Sequence, residues 1–217
     1  MAHTLNKSHY NMIEQQVRPS NVLDARVLEA LSAIPRENYV QKDFSLLAYA
    51  DAELPIGYNQ TMLSPITEGR LLQALDVQAD EQVLEIGTGT GYFTALLAHL
   101  AKHVISVELI PELADQAQKN LADSDNIELC VGDASQGWEL PNRVDVIIVT
   151  AAFTTIPEQY KHSLQIGGRL LAIEGTAPAM SVQLIERMSE REWSTNTIFE
   201  TVVPPMINAE PEPEFEF

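Results

Sequence analysis

The chain has 217 residues, 45% of them apolar, which is enough to bury one sizeable core. Its 13 basic and 31 acidic residues give a formal charge of −18. Such a surface repels phosphate backbones and anionic lipids, so we expect neither nucleic acid nor membranes as partners. One cysteine excludes an intramolecular disulfide. With no secretory signal and no membrane-length apolar run, we expect a cytoplasmic protein.

The first 78 residues predict helices and irregular loops. Segment 20–34 begins with Ser and Asn and then carries apolar residues at helical spacing, which indicates a helix. Pro35-Arg36-Glu37 should end that helix. The simplest role for the charged side chains of Arg36 and Glu37 is an ion pair on the surface. Segment 49–60 is rich in turn formers and predicts an extended loop. Ser64 followed by Pro65 predicts the N-cap of the next helix.

From residue 79 to residue 208 the pattern changes to short apolar strands that alternate with helices. Five candidate buried strands read QVLEIG, HVISVE, IELCVG, VDVIIVT and GRLLAIEG. Alternation of this kind predicts an α/β fold, a doubly wound and mostly parallel sheet. Two later segments, MSVQLIERMSE and TNTIFETVV, predict antiparallel strands. Residues 209–217 are acidic and interrupted by prolines, which predicts a disordered tail.

A glycine-rich loop follows the first of these strands. Gly87, Gly89 and Gly91 lie where the strand passes into a helix, so the backbone can approach a nucleotide-like ligand closely. A dinucleotide fingerprint would need its third glycine at the position of Tyr92. The pattern, with Glu85 two residues before the first glycine, instead resembles the S-adenosylmethionine loop of class I methyltransferases.

Two acidic residues at the next strand ends support a ligand site. Glu108 follows the first glycine by 21 residues (108 − 87), where a carboxylate can accept hydrogen bonds from ribose hydroxyls. Asp133 ends the third strand, and in methyltransferases this position contacts the adenine amino group. Two alternatives to a methyltransferase remain open. The first is an enzyme that binds a nicotinamide cofactor, and the second is a glycine turn with a purely structural role beside two exposed acidic residues.

The sequence resembles the protein-L-isoaspartate O-methyltransferase family over roughly residues 12–206. Motifs in family order include AIPRENYV, LPIGYNQT, GDASQGW, VDVIIVTAA and GGRL. The resemblance implies a Rossmann-like class I methyltransferase fold as one domain over residues 1–208. It also implies S-adenosylmethionine as the cofactor and methylation of the α-carboxylate of L-isoaspartyl residues in damaged proteins or peptides. The implied cofactor-binding residues are Glu85, Gly87, Thr88, Gly89, Gly91, Glu108, Leu109, Asp133 and Ala134.

The sequence departs from the family on the substrate side. The family's serine, which is thought to bond the substrate carboxylate, falls on Leu63, and an aromatic or histidine position falls on Ile66. Thr61 and Ser64 are the remaining candidate catalytic donors, although Ser64 is first of all an N-cap. We therefore expect isoaspartyl methylation that is retained but weak. The alternatives are a small hydrophobic acceptor with the same cofactor, or a scaffold that binds cofactor without turnover.

Metal chemistry and acyl transfer have no sequence support. The five histidines show no ligand spacing, so no metal is expected. Cys130 lies in a predicted buried strand, where cysteine is usually a small core residue.

Overall fold

The computed structural model describes residues 7–209, so residues 210–217 of the predicted tail 209–217 lie outside the described residues. Ala209, the first residue of that predicted tail, is instead half-buried, and its N–H donates to the Met206 carbonyl at 3.3 Å. Within the described residues, a seven-stranded sheet carries helices on its faces, and two further strands form a separate hairpin. This architecture confirms the α/β fold with a mostly parallel sheet.

The strands of the large sheet match the predicted segments. Their bounds are β3 Gln82–Ile86, β4 His103–Glu108, β5 Ile127–Val131, β6 Val144–Phe153, β7 Leu164–Thr176, β8 Ala179–Arg187 and β9 Trp193–Glu200. The spatial order is β5-β4-β3-β6-β7-β8-β9. Strands β3 to β7 pair in parallel, whereas β8 and β9 pair antiparallel, as predicted. The chain leaves β3 first toward β5 and then returns to the other side of β3 with β6, which makes a topological switch point between β3 and β6.

The helices begin and end at residues with recognisable signals. They are α1 Lys7–Asn11, α2 Ala25–Ala33, α3 Pro65–Leu75, α4 Tyr92–Leu100, α5 Pro111–Asn120 and α6 Glu158–His162. A π-helical turn, Met12–Val17, continues α1, and short 3₁₀ turns span Arg18–Ser20, Arg36–Asn38 and Lys42–Leu47. Ser64 caps α3 by accepting the Thr67 N–H at 3.4 Å. No helix among residues 7–209 is both long and apolar enough to cross a membrane.

Three local predictions in the N-terminal region and sheet are corrected. The N-cap of α2 is Asp24, which accepts the Arg26 N–H at 2.8 Å, rather than the Ser and Asn at residues 20 and 21. The predicted loop 49–60 contains most of a hairpin, formed by β1 Leu54–Gly57 and β2 Gln60–Met62. Strand β5 is an edge strand, so Cys130 is only half-buried and does not belong to the deep core.

The predicted surface ion pair beside the first long helix is also corrected. Arg36 has no exposed surface, and its partner is not its sequence neighbour Glu37 but the buried Glu68 of α3. Arg36 also donates to the Leu63 carbonyl at 2.5 Å. The arginine thus joins the 3₁₀ turn to the segment that leads into α3.

Candidate active site

A cleft of about 700 Å³ lies at the carboxyl ends of β3, β4 and β5, next to the switch point. The cleft, called the cofactor cleft below, is lined by six of the predicted cofactor residues: Gly87, Gly89, Glu108, Leu109, Asp133 and Ala134. The structure therefore brings together strand ends that are up to 48 residues apart in the chain (134 − 86).

The glycine loop forms the floor of the cofactor cleft. Gly87 has φ +99°, and a Cβ there would also collide with the Thr150 hydroxyl. That hydroxyl donates to the Ile86 and Gly87 carbonyls at 3.1 and 3.0 Å, which ties β6 to the loop. Gly87 is required both by its backbone conformation and by this close approach.

Glu108 presents a fixed carboxylate to the cofactor cleft. Its Oε2 accepts the Gly89 N–H at 2.8 Å and its Oε1 accepts the Ile110 N–H at 3.0 Å. Each carboxylate oxygen can accept a further hydrogen bond. The side chain is thus held ready for a ligand that offers two adjacent hydroxyl groups.

Asp133 occupies the rim of the same cleft. Its Oδ1 accepts the Ser135 N–H at 2.9 Å, and its Oδ2 accepts from the Asn208 side chain at 2.8 Å. The bond from the Ser135 backbone is the main reason that the pKa of Asp133 is lowered, with the Asn208 contact acting in the same direction. An ionised carboxylate in this position can accept a hydrogen bond from an amino group.

Three of the predicted cofactor residues do not line the cofactor cleft. Glu85 is fully buried behind the loop, where its Oε2 accepts from Thr94 at 2.5 Å and from Ser106 at 2.6 Å. Burial raises the pKa of Glu85 to about 8. Thr88 is hydrogen-bonded to Ser106, and Gly91 lies against α5, where a Cβ would meet Leu121 at 2.9 Å. These contacts show that all three residues help to shape the glycine loop.

A second pocket adjoins the cofactor cleft on the side of α3, with a volume of about 360 Å³. The two cavities share five lining residues: Ile56, Thr61, Gly87, Gly89 and Thr150. The second pocket is otherwise lined by Met62, Leu63, Glu68, Thr88, Thr90, Tyr92 and Phe93. A molecule in the second pocket would therefore lie against a ligand in the cofactor cleft.

The two predicted catalytic residues differ in their placement. Thr61 lines both cavities, and its hydroxyl donates to the exposed Glu53 at 3.0 Å. Ser64 lines neither cavity, because its side chain turns to the first turn of α3 as the N-cap. Leu63, which stands where the family has serine, is buried and faces the second pocket.

A buried polar cluster stands behind the second pocket. It consists of Arg36, Glu68 and Tyr92, each of which is at most 1% exposed as a whole residue. Arg36 pairs with Glu68, and its guanidinium lies 5.2 Å from the centre of the Tyr92 ring. Burial raises the pKa of Glu68, although Arg36 opposes that rise. Sequence reasoning missed this cluster, since its charged members are 32 residues apart (68 − 36) and each resembles a surface residue.

The C-terminal segment of residues 204–208 covers one side of the cofactor cleft. The cleft is lined here by Pro204, Pro205, Met206 and Ile207. Two backbone hydrogen bonds hold the segment against β6: the Ala152 N–H donates to the Pro204 carbonyl at 3.0 Å, and the Met206 N–H donates to the Ala152 carbonyl at 2.7 Å. Sequence analysis did not predict this contact, which depends on long-range pairing with β6.

The residues of the cofactor cleft fit S-adenosylmethionine. As the resemblance implies, Glu108 would accept hydrogen bonds from the ribose hydroxyls and Asp133 from the adenine amino group, and the glycine loop leaves room for close contact with the backbone. A 2′-phosphate would meet the Glu108 carboxylate and be repelled, which disfavours a phosphorylated dinucleotide.

Comparisons with known proteins agree with this geometry. The family model for protein-L-isoaspartate (D-aspartate) O-methyltransferase matches residues 7–210. A protein-L-isoaspartate O-methyltransferase from Methanoculleus marisnigri is 41% identical over 189 residues, covering 86% of this chain and 84% of the relative. A protein-L-isoaspartate O-methyltransferase 2 from Marinobacter nauticus is 37% identical and covers 92% of both chains.

A solved structure supports the fold independently. The putative protein-L-isoaspartate O-methyltransferase of Plasmodium falciparum, in complex with S-adenosyl-L-homocysteine, superimposes with a TM-score of 0.81 at 17% identity. The match covers 93% of this chain and 99% of that structure, so the whole class I methyltransferase architecture is shared. The family match over nearly the entire sequence, together with these relatives, shows that the chain belongs to the protein-L-isoaspartate O-methyltransferase family.

Proposed function

We propose that the protein methylates the α-carboxylate of L-isoaspartyl residues in damaged proteins or peptides, with S-adenosylmethionine as the methyl donor. The observation that carries the proposal is the family match over residues 7–210. The cleft at the strand ends, with Glu108 and Asp133 oriented by backbone N–H groups, supports the choice of cofactor.

The reaction requires little of the protein beyond alignment of the acceptor carboxylate with the methyl donor. S-adenosylmethionine supplies an activated methyl group on a positively charged sulfur. The acceptor carboxylate is already ionised at neutral pH, so its oxygen can attack the methyl carbon without a general base. Residues of the shared wall, including Thr61 and Thr150, would bring the acceptor and donor into line and exclude water.

The second candidate function is methylation of a small hydrophobic acceptor. The observation that favours it is the apolar lining of the second pocket, where Met62, Leu63 and Phe93 are all buried. A third candidate, a scaffold that binds cofactor without turnover, would leave both cavities intact and only abolish transfer.

An assay with a matched peptide pair tests the proposal. Methyl transfer is measured to an isoaspartyl peptide and to the aspartyl peptide of the same sequence, and cofactor binding is measured by calorimetry. We expect transfer to the isoaspartyl peptide only. Cofactor binding without transfer to either peptide would contradict the proposal, and a screen of small carboxylic acids would then separate the two alternatives.

The proposal includes a cytoplasmic location and partners limited to isoaspartyl proteins. The single cysteine suits a reducing compartment, and the charge of −18 disfavours nucleic acid and anionic membranes.

A further inference from the structure

We propose that the hydroxyl of Tyr92 binds the acceptor's carboxylate in the second pocket, as one donor beside the position where Leu63 supplies none. The proposal rests on the proposed function, because it identifies the group that recognises the acceptor. It makes Tyr92 a specificity-determining residue for that reaction.

The position of the second pocket is the first step. It shares Gly87, Gly89 and Thr150 with the cofactor cleft, so an acceptor in it would lie next to a ligand in that cleft. Leu63 lines this pocket, and the resemblance puts the family's carboxylate-binding serine at that position. The second pocket is therefore where a carboxylate acceptor would need a donor.

Most of the polar side chains that line the second pocket are already engaged. Thr88 is hydrogen-bonded to Ser106, Thr150 donates to backbone carbonyls, and Thr61 donates to Glu53. Glu68 can only repel an anion when it is ionised, and it is paired with Arg36. Tyr92 and Thr90 are the two remaining hydroxyl groups.

Tyr92 differs from Thr90 because its hydroxyl is fully buried and has no hydrogen-bond partner among residues 7–209. Leaving a buried hydroxyl unpaired costs roughly 1–3 kcal/mol, so such a group in a pocket points to a ligand that completes it. Burial also raises the pKa of Tyr92 well above its ordinary value, so the group stays a neutral O–H donor.

The surroundings hold the ring and balance the charge of an incoming anion. The Tyr92 ring packs against Tyr39 at 5.3 Å between centroids, and Arg36 lies over its face. Arg36 is paired with Glu68 and offsets the charge of that carboxylate, and burial raises the pKa of Glu68. The cluster therefore presents no net negative charge that would repel a carboxylate in the second pocket.

The test is Tyr92→Phe, with steady-state kinetics on the isoaspartyl peptide, calorimetry with S-adenosylmethionine and thermal unfolding. We expect kcat/KM to fall about 10- to 150-fold, the usual effect of a lost hydrogen bond to a charged group. Cofactor affinity should stay within about twofold. The melting temperature should not fall, because the variant keeps the ring and removes a hydroxyl that has no partner among residues 7–209. If Tyr92 had only a structural role, Tyr92→Phe would lower the melting temperature and leave kcat/KM unchanged.

Two further variants make the result specific. Tyr39→Phe removes a hydroxyl from the ring that packs on Tyr92 but lines neither cavity, and it should leave kcat/KM unchanged. Leu63→Ser should restore more activity in the Tyr92→Phe protein than it adds to the wild type, since it supplies a second donor.

The outcomes separate this inference from the proposed function. An unchanged kcat/KM in Tyr92→Phe, a loss that follows a lowered melting temperature, or a loss seen instead in Thr90→Val would overturn the role of Tyr92 alone. A wild type that binds cofactor but does not methylate the isoaspartyl peptide would overturn both.

Discussion

Glu108 carries the clearest residue-scale prediction. Both its carboxylate oxygens are held by backbone N–H groups, so it can meet the ribose without rearrangement. Glu108→Ala should weaken binding of S-adenosylmethionine by about 1.5–3 kcal/mol, measured by calorimetry. Glu108→Gln is the control, because it keeps the shape and loses the charge, and it should weaken binding less. Unchanged affinity in the alanine variant would place the ribose elsewhere, and tighter binding of NAD would indicate an oxidoreductase.

Glu85 predicts a pH dependence of stability rather than of binding. Its pKa rises from 4.5 to about 8 because the folded protein buries the carboxyl group. Between those values the folded state holds a proton that the unfolded state has lost, so the free energy of unfolding should decrease as the pH rises from about 4.5 to 8. Above pH 8 both states are ionised and this decrease should stop.

The comparison protein for that measurement is Glu85→Gln. Glutamine has nearly the same shape and cannot ionise, so the difference in unfolding free energy between variant and wild type should grow in favour of the variant from pH 5 to pH 8. A difference that does not vary with pH would mean that Glu85 is ionised in the folded protein throughout this range.

Leu63 predicts that the isoaspartyl activity is weak. It cannot donate to a carboxylate, and a missing hydrogen bond to a charged group costs about 1.5–3 kcal/mol, or roughly 10- to 150-fold in rate. Leu63→Ser should raise transfer to the isoaspartyl peptide and leave cofactor affinity alone, because Leu63 does not line the cofactor cleft. If the serine variant gains nothing, other donors already hold the carboxylate fully.

At the scale of one element, helix α3 tests whether Ser64 is a cap or a donor. Ser64 accepts the Thr67 N–H and lines neither cavity. Ser64→Ala should lower stability by about 1 kcal/mol, the usual value of an N-cap, with little effect on kcat/KM. Ser64→Asp should keep the stability, because aspartate is an equally good cap. A loss of activity common to both variants would instead identify Ser64 as a catalytic donor.

The elements that sequence predicted well are those with a strong local signal. Strands β3, β4, β6 and β7 are rich in Val, Ile and Leu, which is typical of a buried parallel sheet. The hairpin β1–β2 was missed because Pro55, Gly57 and Asn59 are turn formers, and its strands depend on pairing with each other. The edge position of β5 was missed because an apolar run does not tell which strand has two neighbours.

The same distinction applies to the candidate site. The glycine loop, Glu108 and Asp133 follow strands at fixed spacing, so local sequence predicted their convergence in one cleft. Arg36, Glu68 and the segment 204–208 reach the site through long-range packing. Arginine and glutamate usually lie on the protein surface. Only the fold shows that Arg36 and Glu68 are buried against each other.

At the scale of the whole molecule, two truncations separate the tail from the wall of the cleft. A protein ending at Asn208 should bind S-adenosylmethionine normally, because the residues removed include none that line the cleft among those described. A protein ending at Val203 loses Pro204 to Asn208 and should bind at least about tenfold more weakly, which corresponds to about 1.4 kcal/mol.

Calorimetry on both truncated proteins, with thermal unfolding as the control for folding, decides this prediction. Equal affinity in the two would mean that the segment of residues 204–208 does not contribute to the site. Failure of the longer protein to bind would mean that residues beyond Asn208 dock on the body.

The segment of residues 204–208 also has a consequence for biosynthesis. Its residues follow all the others that line the cofactor cleft, so they leave the ribosome last of that set. The sheet up to β9 can form beforehand, since domains begin to fold as the chain emerges. A nascent chain would then carry a complete glycine loop beside a cleft that still lacks one wall. Competence to hold cofactor should therefore arise late in translation, which delays methylation until synthesis of the domain is nearly complete.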